Sequence, residues 1–396
     1  MPRLGDLPEV QRNKLLMRPV PINDEVPWTP PPRSVAHSRL ALVTTAGLHH
    51  RRDAPFLKYD QTHRVIDGDV VESDLLQSQS SIGFDRGLRM RDINVVFPID
   101  RLRELAADGT IGGLTDEFYS LTGAQAHSER TAETIGARLG PQLKEHDADL
   151  VLITPTCPFC THTASALARV LETYGLCTVL LALVREFVEK VRPPRAVFVP
   201  FPFGAPVGMP GDREQQLTVL RTALNTFDAP SGPVLVDFEA ELPPGSAAAP
   251  TVASAIERGQ PSAVDAATET SMMRHYYERW LAEHGNKTAV GLSGIPAVRF
   301  RGVIRSFEAF VDNPDGDIWK RPESVSRPEF IRYCADDLKA MYLEGRIMMK
   351  PGETPEQANR WLWGETALGR LLVDVKDRME RSGDEGMRNA GYGIAR

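Results

Sequence analysis

The feature that most constrains this chain is a junction of an apolar run, two cysteines and a helical pattern. Asp149-Leu150-Val151-Leu152-Ile153 reads as a strand, Thr154-Pro155-Thr156 leaves it, and Cys157-Pro158-Phe159-Cys160 follows. Thr161, Ala164, Leu167, Ala168, Val170 and Leu171 then recur at helical spacing. Two thiols therefore stand at a helix N-terminus, where aligned peptide dipoles and free N–H groups favour thiolate over thiol. Pro158 suits the first helical turn because its missing N–H is not needed there. A pair so placed attacks, forms a mixed disulfide and resolves it internally. Cys157, nearest the helix end, is expected to attack. Cys160, one turn inside, is expected to resolve.

Around this junction, almost unbroken apolar runs alternate with amphipathic helices. That pattern predicts an α/β fold, its mostly parallel sheet covered by helices on both faces. A helical C-terminal region follows. Residues 1–36 carry Pro19, Pro21, Pro27, Pro30, Pro31 and Pro32 and read as a proline-rich N-terminal arm. Residues 37–130 read as an N-terminal α/β module. Its strand 38–45 runs into Ala46-Gly47-Leu48-His49-His50, and residues 51–91 look polar and irregular. A second strand is expected at Asp92-Ile93-Asn94-Val95-Val96-Phe97, stopped by Pro98, before a helix carrying Ile99, Leu102 and Leu105.

Residues 131–238 read as the α/β module that carries the CxxC site. Helices are expected at 131–146, 161–174, 184–191 and 215–226, with strands at 149–154, 177–181, 196–199 and 234–238. Pro200 to Gly208 must form a rigid loop, leaving its strand near where the CxxC loop leaves. Residues 239–264, rich in Pro, Ala, Ser and Gly, read as a flexible linker. Residues 265–396 read as mainly helical, with amphipathic spacing near 328–345 and 355–381.

Composition removes several function classes. Net charge is -7, so no basic surface asks for nucleic acid or anionic lipid. Hydrophobic residues are 42% and charged residues 25%, as in ordinary globular chains. No apolar run reaches the roughly 18 residues of a membrane span. Met1-Pro2-Arg3-Leu4-Gly5-Asp6 has no apolar leader region, so a cytoplasmic location is expected. Four cysteines are too few for a disulfide scaffold, and a CxxC pair in such a chain points to catalysis or metal binding.

Further candidates stand beside the cysteines. His162 is either a solvated residue on the helix surface or a proton donor that also stabilises the thiolate. His49 and His50 point to opposite sides of an extended chain, so at most one faces a cleft. His49 joins the candidate substrate-binding set with Asn94, Thr154, Thr156, Phe203 and Gly204. Thr154 and Thr156 could donate hydrogen bonds to a bound carboxylate or phosphate, or be ordinary strand-end threonines. Asn94 shares a strand face with Asp92 by the period of two. Asp100 complements a helix dipole. Cys177, in an apolar strand, reads as an inert core thiol.

A structural zinc needs four ligands. Cys157, Cys160 and His162 supply three, with no second Cys/His pair nearby, so no resident metal is assigned. A metal held by these three as Lewis acid is the alternative reading. No G-x-G-x-x-G follows a strand, and no P-loop, G-x-S-x-G or H-E-x-x-H occurs. No flavin or nicotinamide is therefore indicated, and a cycling pair would draw on an external thiol reductant, thioredoxin-like in kind.

The stretch 154–161 and Val199-Pro200-Phe201-Pro202-Phe203-Gly204-Ala205-Pro206 resemble the glycine/sarcosine/betaine reductase selenoprotein B family, to which D-proline reductase is related. So do Ala41 to Gly47, Asp92 to Leu102 and Tyr119 to Ala124, and together the resemblance covers roughly residues 38–230. It implies a Sec-x-x-Cys redox centre that reductively cleaves a carbon–nitrogen bond. Cys157 stands where selenocysteine would stand, Cys160 matches the partner cysteine, and Thr163 replaces a further cysteine of the family. It also implies a separate pyruvoyl-bearing subunit. Cys-Pro-Phe-Cys after a strand is locally similar to a glutaredoxin site as well. A glutaredoxin domain, though, is about a hundred residues long and opens near that strand.

The expectation is a thiol-dependent oxidoreductase that cleaves a carbon–heteroatom bond of a small molecule. The alternatives are the metal-dependent non-redox enzyme and a non-catalytic partner-binding component. Expected partners are a small-molecule substrate and a thioredoxin-like protein or other subunit. The pattern leaves room for a homo-oligomer.

Overall fold

The computed structural model describes residues 9–17, 19–79, 86–240, 255, 262–316, 318–391 and 393–395. The chain forms two compact units, one from Met1–Val71 with Gln77–Ala248, the other from Glu72–Leu76 with Ala249–Arg396. Strands are β1 (Arg39–Thr44), β2 (Leu48–His50), β3 (His63–Asp67), β4 (Leu75–Gln77), β5 (Gly113–Leu114), β6 (Glu117–Leu121), β7 (Leu150–Thr154), β8 (Cys177–Ala182), β9 (Arg195–Phe198) and β10 (Val234–Asp237). The first unit holds helices α1 (Glu9–Leu16), α2 (Arg86–Arg91), α3 (Ile99–Ala107), α4 (Ser128–Glu145), α5 (Pro158–Thr173), α6 (Arg185–Val191) and α7 (Arg213–Asn225).

One sheet runs through the first unit in the order β10-β9-β8-β7-β1-β6-β3, with β5 also beside β1. Every pairing in it is parallel except that of β3 with β6. Strands from 37–130 and from 131–238 thus lie side by side, Thr44 opposite Thr154. Alternation along each strand sends Ala41, Val43, Val151, Ile153, Leu180 and Ala196 into one core with Ile135, Leu139 and Leu143 of α4 and Leu167 and Leu171 of α5. Leu40, Leu42, Leu152, Val179 and Leu181 are buried on the other face, where α7 contacts β8 and β9. The mostly parallel sheet covered on both faces is the architecture expected from the apolar runs.

Helices α4 and α5 pack at very short range. A Cβ on Gly136 would lie 2.4 Å from Cγ1 of Val170, and one on Gly140 would lie 2.7 Å from the Tyr174 ring. Only glycine leaves room on α4 for the Val170 and Tyr174 side chains at these two positions.

The arm is tied in by charge. Arg195 donates to Glu172 at 3.0 Å, and both side chains are fully buried. The Arg195 guanidinium lies over the Trp28 ring at 3.6 Å and donates to the Thr29 carbonyl at 2.9 Å. Glu172 also accepts from the Thr178 amide at 2.8 Å and from the Thr29 amide.

Two local expectations are overturned. Residues 92–97 are not a strand: Ile93–Val95 form a 3₁₀ turn. The Asp92 carboxylate accepts the Asn94 amide at 2.9 Å, and the Val96 and Phe97 amides return to the Ile93 carbonyl. An aspartate that captures nearby amides outweighs the strand preference of Ile and Val. The period-two pairing of Asp92 and Asn94 goes with it. Residues 51–91 are not wholly irregular, since β3 adds an antiparallel edge to β6 and α2 closes the segment. The stretch 239–264 lies mostly outside the described residues.

The second unit is helical: α8 (Ala266–Glu283), α9 (Phe300–Asp312), α10 (Arg327–Met349), α11 (Pro355–Glu365), α12 (Ala367–Glu380) and α13 (Glu385–Gly391). The spacing over 355–381 resolves into two helices, because the Thr366 hydroxyl accepts the Gly369 amide and starts α12 afresh. Buried carboxylates organise this unit. Asp337 accepts from the amides of Gly291, Leu292 and Ser293 at 2.8–2.9 Å and from the Ser293 hydroxyl at 2.6 Å. Glu344 accepts from Thr288 Oγ1 at 2.6 Å and the Ala289 amide at 2.7 Å. No helix among the described residues is long and apolar enough to cross a membrane.

Candidate active site

Along the sheet the parallel strands β6, β1, β7, β8, β9 and β10 follow chain order 2-1-3-4-5-6. The order reverses between β1 and β7. In open α/β sheets the crevice outside the carboxyl ends of the strands at such a reversal is where ligands bind. Here Thr44 ends β1, Thr154 ends β7, and Cys157 caps α5 three residues later.

Cys157 is extended and its Sγ accepts the Cys160 amide at 3.1 Å, the contact of an N-cap. Pro158 occupies the first turn, as its lack of a donor allows. The two sulfurs are joined as a disulfide with Cα atoms 4.8 Å apart, and neither residue has exposed surface.

Three loops converge on the pair. From β1, Thr45 Oγ1 accepts the Thr156 amide at 3.1 Å and meets Thr156 Oγ1 at 3.4 Å. Thr156 Oγ1 in turn lies 3.8 Å from Cys160 Sγ. From β6 comes Gly123, where a Cβ would sit 2.9 Å from Cα and Cβ of Cys160 and from Cβ of Thr45. From β9, the Gly204 amide donates to the Thr156 carbonyl at 2.8 Å, and buried Phe203 precedes it. The Val96 carbonyl accepts the hydroxyls of Thr44 at 2.9 Å and of Thr154 at 2.7 Å, linking the two switch-point strands to one turn. The Thr154 proton is therefore engaged by the protein and is not free for an anion.

A family model described as "Glycine/sarcosine/betaine reductase selenoprotein B" matches residues 16–156. The D-proline reductase subunit gamma of Acetoanaerobium sticklandii is 34% identical over 224 residues, which cover 56% of this chain and 92% of that protein. The chain belongs to this reductase component B family.

Other members of the component B family match over less of their length. A glycine reductase complex component B subunit gamma of Symbiobacterium thermophilum is 28% identical, over 54% of this chain and 51% of that protein. A sarcosine reductase complex component B subunit beta of Peptoclostridium acidaminophilum is 28% identical, over 53% and 50%. The chain spans about half the length of these two relatives. No solved structure matches it.

In this component B homologue, the sequence-derived candidates divide by position. Cys157, Cys160, Thr156 and Gly204 are brought together. Asn94 is engaged elsewhere: its amide bridges Asp92 and Asp100 at 3.0 and 2.9 Å and braces the start of α3. His162 is buried rather than solvated, with Nε2 2.5 Å from Glu129 Oε1 on α4 and its ring against Phe187. His49 is fully buried, whereas His50 pairs with Asp67 at 3.3 Å. Burial pushes the Cys177 thiol up to about 12, so it is an inert core residue. Among the described residues no group of three His, Cys, Asp or Glu stands where a metal ion could be held. Sequence reading passed over Thr45 and Gly123. The strand exit Thr44-Thr45-Ala46-Gly47 was visible, but only the fold brings it to Thr156.

Proposed function

We propose that this chain is a thiol-dependent reductase of the component B kind, which cleaves a carbon–heteroatom bond of a small molecule at Cys157. The Cys157 thiolate attacks the carbon that bears the leaving group. A carbon–sulfur bond forms, and the amine or other heteroatom group departs with the bonding pair. The Cys160 thiolate then attacks Cys157 Sγ, the carbon leaves with the electron pair and takes up a proton, and the disulfide closes. The dithiol has supplied two electrons, and an external thiol, thioredoxin-like in kind, returns them.

The observation that carries this reading is the Cys157–Cys160 disulfide at the α5 N-terminus, with the Cys160 amide on Cys157 Sγ. Relatives named for D-proline, glycine and sarcosine support a small amine as substrate and a multi-subunit assembly as setting. A pair that cycles through its dithiol works in a reducing compartment, so we place the reaction in the cytoplasm.

Intact-mass measurement with reduced protein and a panel of small amines tests the proposal. Cys160→Ser should retain a substrate-sized adduct on Cys157, and Cys157→Ser should retain none and lose turnover. Full turnover by Cys157→Ala would overturn it.

A further inference from the structure

We infer that Thr156 is a positioning residue for Cys160: once the disulfide is reduced, its hydroxyl donates a hydrogen bond to the Cys160 sulfur and favours the thiolate that resolves the adduct. The inference rests on the proposed reading that the pair cycles between disulfide and dithiol. The two sulfurs have different donors. Cys157 Sγ accepts the Cys160 amide at 3.1 Å. Cys160 Sγ has a side chain instead, Thr156 Oγ1 at 3.8 Å, the donor that reaches it among the described residues. Thr45, Thr156 and Cys160 have no exposed surface, so bulk water does not solvate a charge on this sulfur. A buried thiolate is disfavoured unless a donor within the protein takes the place of water.

The Thr156 hydroxyl can turn to the sulfur without stranding an acceptor. Its other neighbours are the Thr45 carbonyl and Thr45 Oγ1, each at 3.4 Å. The Thr45 carbonyl is already served by Gln79 Nε2 at 2.6 Å. Thr45 Oγ1 accepts the Thr156 amide at 3.1 Å and keeps its own proton to give to Thr156 Oγ1. A disulfide sulfur accepts weakly, whereas a thiolate accepts a charge-assisted bond. Reduction therefore draws the Thr156 proton from the carbonyl towards Cys160.

The main chain holds the hydroxyl in place. The Thr156 amide is fixed on Thr45, and its carbonyl accepts the Gly204 amide at 2.8 Å. On the other side Gly123 packs against Cα and Cβ of Cys160. Thr156 thus serves the sulfur rather than a bound carboxylate. In the resolving step the Cys160 thiolate attacks Cys157 Sγ, the carbon–sulfur bond breaks, and the carbon leaves with the electron pair and takes up a proton. The Thr156 proton stays on its oxygen throughout.

The test uses the full chain with ¹³Cβ-labelled cysteine under reducing conditions. A Cys157→Ala background leaves one thiol of the pair to titrate alone. The Cys160 signal is assigned by its loss in Cys160→Ser. Adding Thr156→Val should raise the Cys160 titration midpoint by about one pH unit, the scale of one hydrogen bond to a charged group. Thr156→Ser should leave the midpoint where it was. Valine keeps the shape of threonine, so a packing role alone would move nothing. Thr156→Ala makes the same comparison should the valine variant not fold. An unchanged midpoint without the hydroxyl, or an equal rise in Thr156→Ser, would each overturn the inference. Turnover of Cys157→Ala, measured beside the titration, separates the two readings. No turnover with an unmoved midpoint removes the Thr156 role alone. Full turnover with a raised midpoint removes the Cys157 reading alone.

Discussion

The Cys160 amide lies 3.1 Å from Cys157 Sγ, so the second cysteine of the pair supplies the hydrogen bond that caps the helix at the first. Oxygen can replace sulfur in this contact and a methyl group cannot. Under reducing conditions Cys157→Ser should be more stable than Cys157→Ala by about 1 kcal/mol, the usual worth of an N-cap side chain. Urea denaturation checks the difference, and both variants should lack turnover.

Gly123 should tolerate no side chain. The added carbon of Gly123→Ala would press on Cys160 and Thr45 at 2.9 Å, and overpacking of this kind costs about 1–3 kcal/mol. The expected outcome is a lower midpoint of thermal unfolding together with slower closure of the Cys157–Cys160 disulfide, followed by thiol alkylation. Wild-type closure kinetics in Gly123→Ala would contradict the geometry.

Gly136 tests packing away from the cysteines. Gly136→Ala drives a methyl group to 2.4 Å from Val170 and should destabilise the first unit by a similar amount, about 1–3 kcal/mol. Amide hydrogen exchange checks this, with the backbone amides of the second unit's helices as the internal reference.

Glu172→Gln leaves Arg195 buried without its counter-charge. Removing one partner of a buried pair typically costs about 3–5 kcal/mol. The double variant Glu172→Gln with Arg195→Met should recover part of that loss in urea titrations. Recovery is expected because the uncompensated charge, rather than the missing bond, dominates the penalty.

Asp337 predicts a pH dependence in the second unit. Burial raises its carboxyl from the usual carboxylate range to about 6 despite four donors. The folded state therefore holds the proton to higher pH than the unfolded chain does. This contribution to stability is fully present below the unfolded value near 4, falls as pH rises to about 6, and is flat above, a span on the order of 1–3 kcal/mol. Denaturant midpoints at pH 4.5 and 7 should differ less in Asp337→Asn than in the wild type.

Much of the sheet was legible in the sequence because buried parallel strands are continuous apolar runs, as in Leu150–Thr154 and Cys177–Ala182. The exception, 92–97, has strand-like composition but carries its own hydrogen-bond acceptor in Asp92, which closes a turn before pairing can compete. The cysteine pair was legible because thiols at a helix start carry chemistry in their type and spacing. The partners of that pair were not: Thr45 meets Thr156 across 111 positions, and Glu129 meets His162 across 33. Such contacts follow from strand order, which periodicity does not encode. Asn94 was misplaced for the same reason as its strand.

The complete burial of Cys157 and Cys160 has a kinetic consequence. A sulfur pair with no surface is insulated from collisions with the bulk thiol pool, since exchange requires in-line approach to a sulfur atom. Reduction of the Cys157–Cys160 disulfide therefore waits on an opening that brings a thiol into line with one of the two sulfurs.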